Sequence, residues 1–299
     1  MHKRWLSACL LGILPALSGC LYHTHKVQQP RIAGPSINAN VAQLVAGVNE
    51  RYDAIQSLNA TVEFTASTGG ERKGKQTDIT PFRGYILLRK PNMLRVLGLV
   101  PVLHTRAFDL ASDGSTFKLL IPPKSRAIEG SNSVTQKSSN ALENLRPDIF
   151  LNSILIRSVA PGRLVYLTSH AEVQPDPKTK QLIETPEYDL LIGDEGPSKA
   201  DRLGVRVIRP TRVIHFSRID LLPRGEDIYD ADGEVATKVT YGPYQNFGAL
   251  KFPVTITINR PLEEYQILIR LQKVTANLPL SDEQFQLKVP EGYQVRKLQ

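Results

Sequence analysis

The chain of 299 residues carries few side chains suited to covalent or metal chemistry. Its cysteines are Cys9 and Cys20, and its histidines are His2, His23, His25, His104, His170 and His215. His23 and His25 have a spacing that could ligate a metal, but no neighbouring residue completes a site. His104, His170 and His215 each stand alone in a strand-like run, with no carboxylate partner identifiable from sequence. The segment Asp230-Ala231-Asp232-Gly233-Glu234 starts like a calcium loop, yet Gly falls fourth and Tyr241 twelfth. An EF-hand needs Gly sixth and Glu twelfth, so a hairpin turn accounts for it better. Glycine-rich phosphate loops, Gly-x-Ser-x-Gly, His-Glu-x-x-His and dinucleotide fingerprints are absent. The chain reads as a non-enzyme without a cofactor, although a catalytic triad need not be local in sequence.

One sulfur does stand in a chemical context. His2-Lys3-Arg4 is a short cationic start, and the apolar run Trp5–Leu17 is too short to span a bilayer. Leu17-Ser18-Gly19-Cys20 follows, an order that resembles the lipobox of bacterial lipoproteins. The resemblance implies a signal peptide over residues 1–19, cleavage before Cys20, and acylation of its sulfur and new amine. Two or three acyl chains give stable anchoring. Leu21 in place of Asp after the cysteine suggests sorting to the outer membrane. Cleavage removes Cys9, so the mature chain has no disulfide or cysteine metal site. Loss of Lys3 and Arg4 takes the formal charge from +8 to nearer +6. This charge fits anionic headgroups or simple solubility, and its scatter argues against nucleic acid as a partner.

Residues 20–37 contain Pro30, Gly34 and Pro35 without apolar periodicity and read as a tether. Residues 38–299 read as one domain. Val41, Leu44, Val45, Val48, Tyr52, Ile55 and Leu58 predict a helix over Asn38–Leu58, capped by Asn38 or Asn40. Ala60–Ala66 alternates as a strand, and Thr68–Lys75 reads as a loop. Five strands then form a meander: Phe82–Arg89, Met93–Gly98, Leu103–Leu110, Thr116–Ile121 and Ser125–Ile128. Both faces of that meander carry apolar residues, which argues for cover on both sides. Either a packed helix or an apolar cavity would supply it on the concave side. A helical stretch over Ala141–Ile156 restarts at Pro147. Strands are expected over Leu164–Val173, Glu187–Ile192, Val205–Ile208 and Val213–Leu221. A closing meander of Glu234–Tyr241, Leu250–Arg260 and Glu264–Thr275 follows, then a helical turn at Ser281–Phe285, and Gln286–Val289 with Pro290-Glu291-Gly292 ends the fold.

Several C-terminal segments carry a family resemblance: Phe252-Pro253-Val254, Tyr265-Gln266-Ile267-Leu268-Ile269, Val274-Thr275-Ala276-Asn277, Phe285-Gln286-Leu287 and Pro290-Glu291-Gly292. Together with the lipidated start, the long meander and the helical interruption, they resemble the LolA/LolB lipoprotein-localisation superfamily. The resemblance covers about Val41–Val295, and Pro175–Gly204 looks like added length. It implies an α+β, mostly β fold: an open, curved antiparallel half-barrel with helices covering the concave face. It implies a cavity for acyl chains of lipoproteins or lipids, a membrane contact through the anchor, and a periplasmic carrier protein as a partner. Cavity candidates are Val62 and Phe64, Tyr85 and Leu87, Leu94 and Val96, Phe108 and Leu110, and Phe117 and Leu119. The lipidated member of the family has an apolar membrane-insertion loop after its third strand, and Leu99 and Val100 match that place. The same two residues would also serve as a bridge between buried strands. An outer-membrane protein accepting acylated cargo on the periplasmic face is the leading expectation. An envelope scaffold or sensor of the same fold, with a filled core, is the alternative.

Replacing Cys20 by Ser should abolish lipidation. Metabolic labelling with a radioactive fatty acid reads this directly, and equal label on both proteins would reject the lipobox.

Overall fold

The computed structural model describes residues 25–133, 141–176, 179–195 and 208–298. Cys20, the signal segment, His23 and the strand start at Val205 lie outside the described residues. In chain order, β1 (Arg31–Ile32), α1 (Val41–Asp53), β2 (Ser57–Gly70) and β3 (Lys75–Arg89) come first. Next are β4 (Met93–Leu99), β5 (Arg106–Ser112), β6 (Thr116–Ile121), β7 (Arg126–Ser131) and α2 (Pro147–Ile154). They are followed by β8 (Leu164–Pro175), β9 (Leu182–Glu195), β10 (Ile208–Ser217), β11 (Pro223–Tyr229) and β12 (Val235–Tyr241). Last come β13 (Tyr244–Phe247), β14 (Leu250–Pro253), β15 (Thr255–Arg260), β16 (Tyr265–Ala276) and β17 (Gln294–Lys297).

All strands but β13 and β14 join one open sheet. From one end its order is β9, β10, β11, β12, β15, β16, β2, β3, β4, β5, β6, β7, β17, with β1 and β8 paired to β9. Pairing is antiparallel except for β1 with β9 and β17 with β7. β13 and β14 pair only with each other in a separate small sheet.

Local chemistry explains where the first elements begin and end. Asn40 is the N-cap of α1: its side chain accepts from the Gln43 amide at 2.9 Å, and the Gln43 side chain accepts from the Asn40 amide at 2.9 Å. The apolar spacing continues to Leu58, but the helix stops at Asp53. Asn277 ends it, donating to the Ala54 carbonyl at 2.8 Å and accepting from the Gln56 amide at 2.7 Å. The expected loop over Thr68–Lys75 is shorter, because β2 and β3 stay paired to Gly70 and Lys75. Gly69 has φ 94, and a Cβ there would collide with the Lys75 carbonyl oxygen. Pro147 opens α2, as its missing N–H allows.

Registers carry one largely apolar face across the sheet. Ile86, Val96, Leu110, Leu119 and Ile128 face one another strand by strand. Ile149, Phe150, Leu151 and Ile154 of α2 pack into that cluster together with Ile256, Ile258, Ile267 and Ile269. On the same face, Leu44 and Val48 of α1 pack on Tyr188, Leu190, Ile192, Ile214 and Phe216. The opposite face is partly covered too. Leu287 sits on Ala111, Leu120 and Ala127, and fully buried Asp109 takes two hydrogen bonds from Arg95 at 3.0 and 2.8 Å. Residues 286–289 therefore pack as a covering segment and form no strand. β11 was not anticipated from sequence, and Leu250–Arg260 is split between the two sheets.

Phe150 is fully buried between α2 and the sheet. Phe150→Ala should lower unfolding free energy by about 3–5 kcal/mol, read by urea denaturation. A loss under about 1 kcal/mol would mean that the α2 contact does not hold the core together.

Candidate functional site

The sheet's apolar face is not filled evenly. A cavity of about 200 Å³ opens where α1, the residues ending α2 and the β13–β14 hairpin meet. Its walls include Val48, Tyr52, Ala54 and Ile55 from the α1 side, and Ile154, Leu155 and Ile156 from the α2 side. Tyr241, Tyr244, Leu250 and Phe252 close it from the hairpin side, and Arg51 and Lys251 are its cationic members. Two tyrosines anchor this region. The buried Tyr241 hydroxyl donates to the Ser153 carbonyl at 3.1 Å, and Tyr244 donates to the Pro223 carbonyl at 2.9 Å. Burial raises the pKa of both phenols, so both stay neutral donors. A second apolar cavity of about 80 Å³ lies between Phe64, Phe82, Phe108, Leu145, Phe150 and Tyr265.

The residues singled out from sequence fall into three groups. Phe64 and Phe108 line the smaller cavity. Val62, Leu94, Val96, Leu110, Phe117 and Leu119 lie on the same face but are packed into the core under α2. Tyr85 and Leu87 are on the opposite face, because side chains alternate along a strand and Ile86 and Leu88 point inward. Tyr85 is 39 % exposed, so these two do not belong with the cavity candidates. The larger cavity is lined by none of the ten. Its hairpin wall joins residues far apart in sequence, and only the single aromatics at Tyr241, Tyr244 and Phe252 marked it.

The β4–β5 loop also differs from the expectation in detail. Leu99 ends β4 opposite Arg106, and Val100 donates to the Thr105 carbonyl at 2.7 Å, so both are half-buried at the loop's base. The exposed apolar tip is Val102, 88 % exposed, with Leu103 beside it. Val102 has φ 67, an uncommon conformation for a β-branched residue.

Two of the lone histidines do have carboxylate partners, which sequence did not reveal. On the face away from the core, His215 of β10 lies 2.7 Å from Asp189 of β9 and 3.5 Å from Asp227 of β11. His170 of β8 lies 3.4 Å from Asp189 and 3.9 Å from Glu187. Burial alone would lower the His215 pKa, but hydrogen bonds to Asp189 and Asp227 outweigh it and raise the value to about 9. His215 is thus a cation at neutral pH and not a general base. No group of three or more His, Cys, Asp or Glu among the described residues is arranged to hold a metal ion.

No family model and no curated protein matches the chain. Among solved structures it is similar to a LolA superfamily protein from Nitrosomonas europaea, at 14 % identity and TM-score 0.47 over 81 % of this chain and 97 % of that one. It is similar to a putative outer membrane lipoprotein-sorting protein domain from Vibrio parahaemolyticus, at 10 % identity and TM-score 0.45 over 82 % and 94 %. A DUF1329 family protein from Desulfovibrio piger follows at 13 % identity and TM-score 0.40 over 82 % and 95 %. The first bears the superfamily name that the C-terminal segments suggested. At these identities and scores the likenesses carry no functional argument.

The folded pKa of His215, about 9, exceeds its usual 6.5, so its stabilisation is complete below pH 6.5 and lost as pH rises through 9. His215→Gln should therefore lower the melting temperature most near pH 6, with the gap to wild type closing by pH 10. A gap that stays constant with pH would reject the charged pairing.

Proposed function

We propose that this chain is an envelope lipoprotein that receives acyl chains of lipoproteins or lipids in the cavity between α1, α2 and the β13–β14 hairpin. The observation that carries this reading is the cavity itself, which is walled almost wholly by apolar and aromatic side chains. Binding there would draw on about 0.8 kcal/mol for each methylene removed from water. At about 200 Å³ the cavity is smaller than the roughly 300–1,000 Å³ of typical ligand pockets, so entry of a chain requires it to widen. The β13–β14 hairpin is the element to move, because its ladder is not shared with the large sheet.

In this proposal residues 1–19 are the signal peptide, Cys20 is the outer-membrane anchor and the domain faces the periplasm. Helices cover the concave face of a curved half-barrel, and a periplasmic carrier delivers cargo. The chain from Arg31 onward is tied to the sheet: Arg31 pairs with Ile183, and the Ile37 amide donates to the Arg218 carbonyl at 2.6 Å. The 11 residue steps from Cys20 to Arg31 can span at most about 40 Å. Val102 and Leu103 enter the acyl region of the bilayer, each gaining on the order of 1.5–3 kcal/mol. Leu99 and Val100 support that tip from below.

A second reading, an envelope scaffold without cargo, is favoured by the dense packing of Val62, Leu94, Val96, Leu110 and Leu119, all fully buried. One experiment separates the two. A form lacking residues 1–20 should bind an environment-sensitive apolar dye and release it to a lipopeptide. Ala54→Trp, placed at the cavity wall on an exposed helix end, should block dye and leave the melt unchanged. Val102→Ser with Leu103→Ser should keep dye binding and slow transfer of lipopeptide to liposomes. A folded wild type that binds no dye would reject the cargo reading, and unchanged transfer would reject the loop's role.

A further inference from the structure

The apolar face of the sheet carries charge at its β9–β11 end. Arg212 of β10 and Glu226 of β11 point to that face, since their register partners Ile192 and Val239 are core residues. Beside them is a pocket of about 260 Å³, separate from the acyl cavity, also lined by Asn152, Arg157, Ser158 and Arg163. One water occupies about 30 Å³ of liquid, so the pocket has room for a group much larger than water.

Three guanidiniums meet there from different segments. Arg212 donates to the carbonyls of Arg157 at 2.7 Å and Ser158 at 2.9 Å, and to Glu226 Oε1 at 3.2 Å. Arg163 pairs with Asp194 at 2.9 Å and donates to the Thr211 hydroxyl at 2.8 Å. Arg157 donates to Asn152 at 2.5 Å and Asn92 at 3.2 Å, and lies 4.0 Å from Asp148. Its Nη1 has no hydrogen-bond partner among the described residues. Asp194 and Asp148 are both more than a third exposed, so solvent weakens their hold on the arginines.

Glu226 is the unexplained group. It is 1 % exposed, and its Oε2 has no hydrogen-bond partner among the described residues. A buried polar atom left unpaired is costly. Burial pushes the carboxyl pKa up, against the pull of Arg212. Three guanidiniums, two of them with carboxylate partners only at the solvent edge, leave the pocket rich in donors.

We infer that this pocket binds a phosphate-class oxyanion. A tetrahedral anion offers acceptor oxygens in several directions and so suits guanidiniums arriving from separate segments. A single planar carboxylate is satisfied by one fork. Arg157 and Arg163 contribute the charge, and Arg212 with Glu226 holds the wall of the site. Free phosphate and a phospholipid headgroup share this chemistry. The site stands apart from the acyl cavity and does not depend on it.

Calorimetric titration of the full-length protein in detergent tests the inference in two arms. One uses inorganic phosphate; the other uses dihexanoyl phosphatidylglycerol, with dihexanoylglycerol as the phosphate-free control. Saturable binding in either arm is expected, the responding arm naming the source. Arg157→Gln should weaken it by about tenfold or more, as loss of a charge-assisted hydrogen bond does. If Arg157→Gln fails to melt cooperatively, Arg163→Gln at the pocket edge carries the same expectation. Failure of wild type to bind in both arms would overturn the site, leaving water alone in it. So would equal binding by the two lipids together with no binding of inorganic phosphate, or wild-type affinity in both arginine variants.

Discussion

An open sheet must bury one apolar face, and the described residues include two short helices with which to do it. Fifteen strands at about 4.8 Å spacing make a wide surface, while a helix with its side chains is about 10–12 Å across. At 1.5 Å per residue, the 13 residues of α1 and the 8 of α2 span roughly 20 and 12 Å. Neither helix can extend over the gap between them. The rest of the face is closed by large side chains and by the off-sheet hairpin. Phe64, Phe82 and Phe108 stack with centroids 5.3 to 6.3 Å apart, filling one end of the gap. The apolar cavities sit at the seams of this cover, where packing is shared by elements not hydrogen-bonded to one another.

The same constraint accounts for the buried charge. The segment between α2 and β8 must cross the sheet face with exposed backbone groups, and buried amides and carbonyls need partners. Asn49 of α1 supplies two, accepting from the Val159 amide at 2.7 Å and donating to its carbonyl at 3.3 Å. Arg212 supplies two more at Arg157 and Ser158. An arginine inside the face requires a counter-charge, and Glu226 provides it through one oxygen only. The polar pocket is therefore a consequence of the crossing, with a donor surplus that crossing alone does not use.

Much of this was legible locally. The five-strand meander, the Asn40 cap, the restart at Pro147 and the Asp230 turn all follow from residue types at fixed spacing. What escaped was set at long range. Asn277 ends α1 from the far end of β16, so Ile55 and Leu58 continued a helical pattern on extended backbone. β11 begins Pro223-Arg224-Gly225, which reads as a turn, and its inward Glu226 breaks the apolar alternation. Tyr85 and Leu87 are as apolar as their neighbours, and only the register shows that Ile86 and Leu88 take the inside. The carboxylates beside His215 are 26 and 12 positions away and meet it only through strand pairing.

The two ends of the sheet face differ in what they can hold. Where α2 lies on β4, β5 and β15, inward Leu94, Val96, Leu110, Ile256 and Ile258 are fully buried and the space is nearly full. Where α1 lies on β9 and β10, inward Arg212 and Glu226 break the apolar surface, and room remains beside them. Tyr241 stands at the border. It lines the apolar cavity and gives its hydroxyl to Ser153 of α2, while its buried phenol is held neutral partly by the charge of Glu226. The short helices that leave the face incompletely covered are thus also what separates its apolar and cationic spaces.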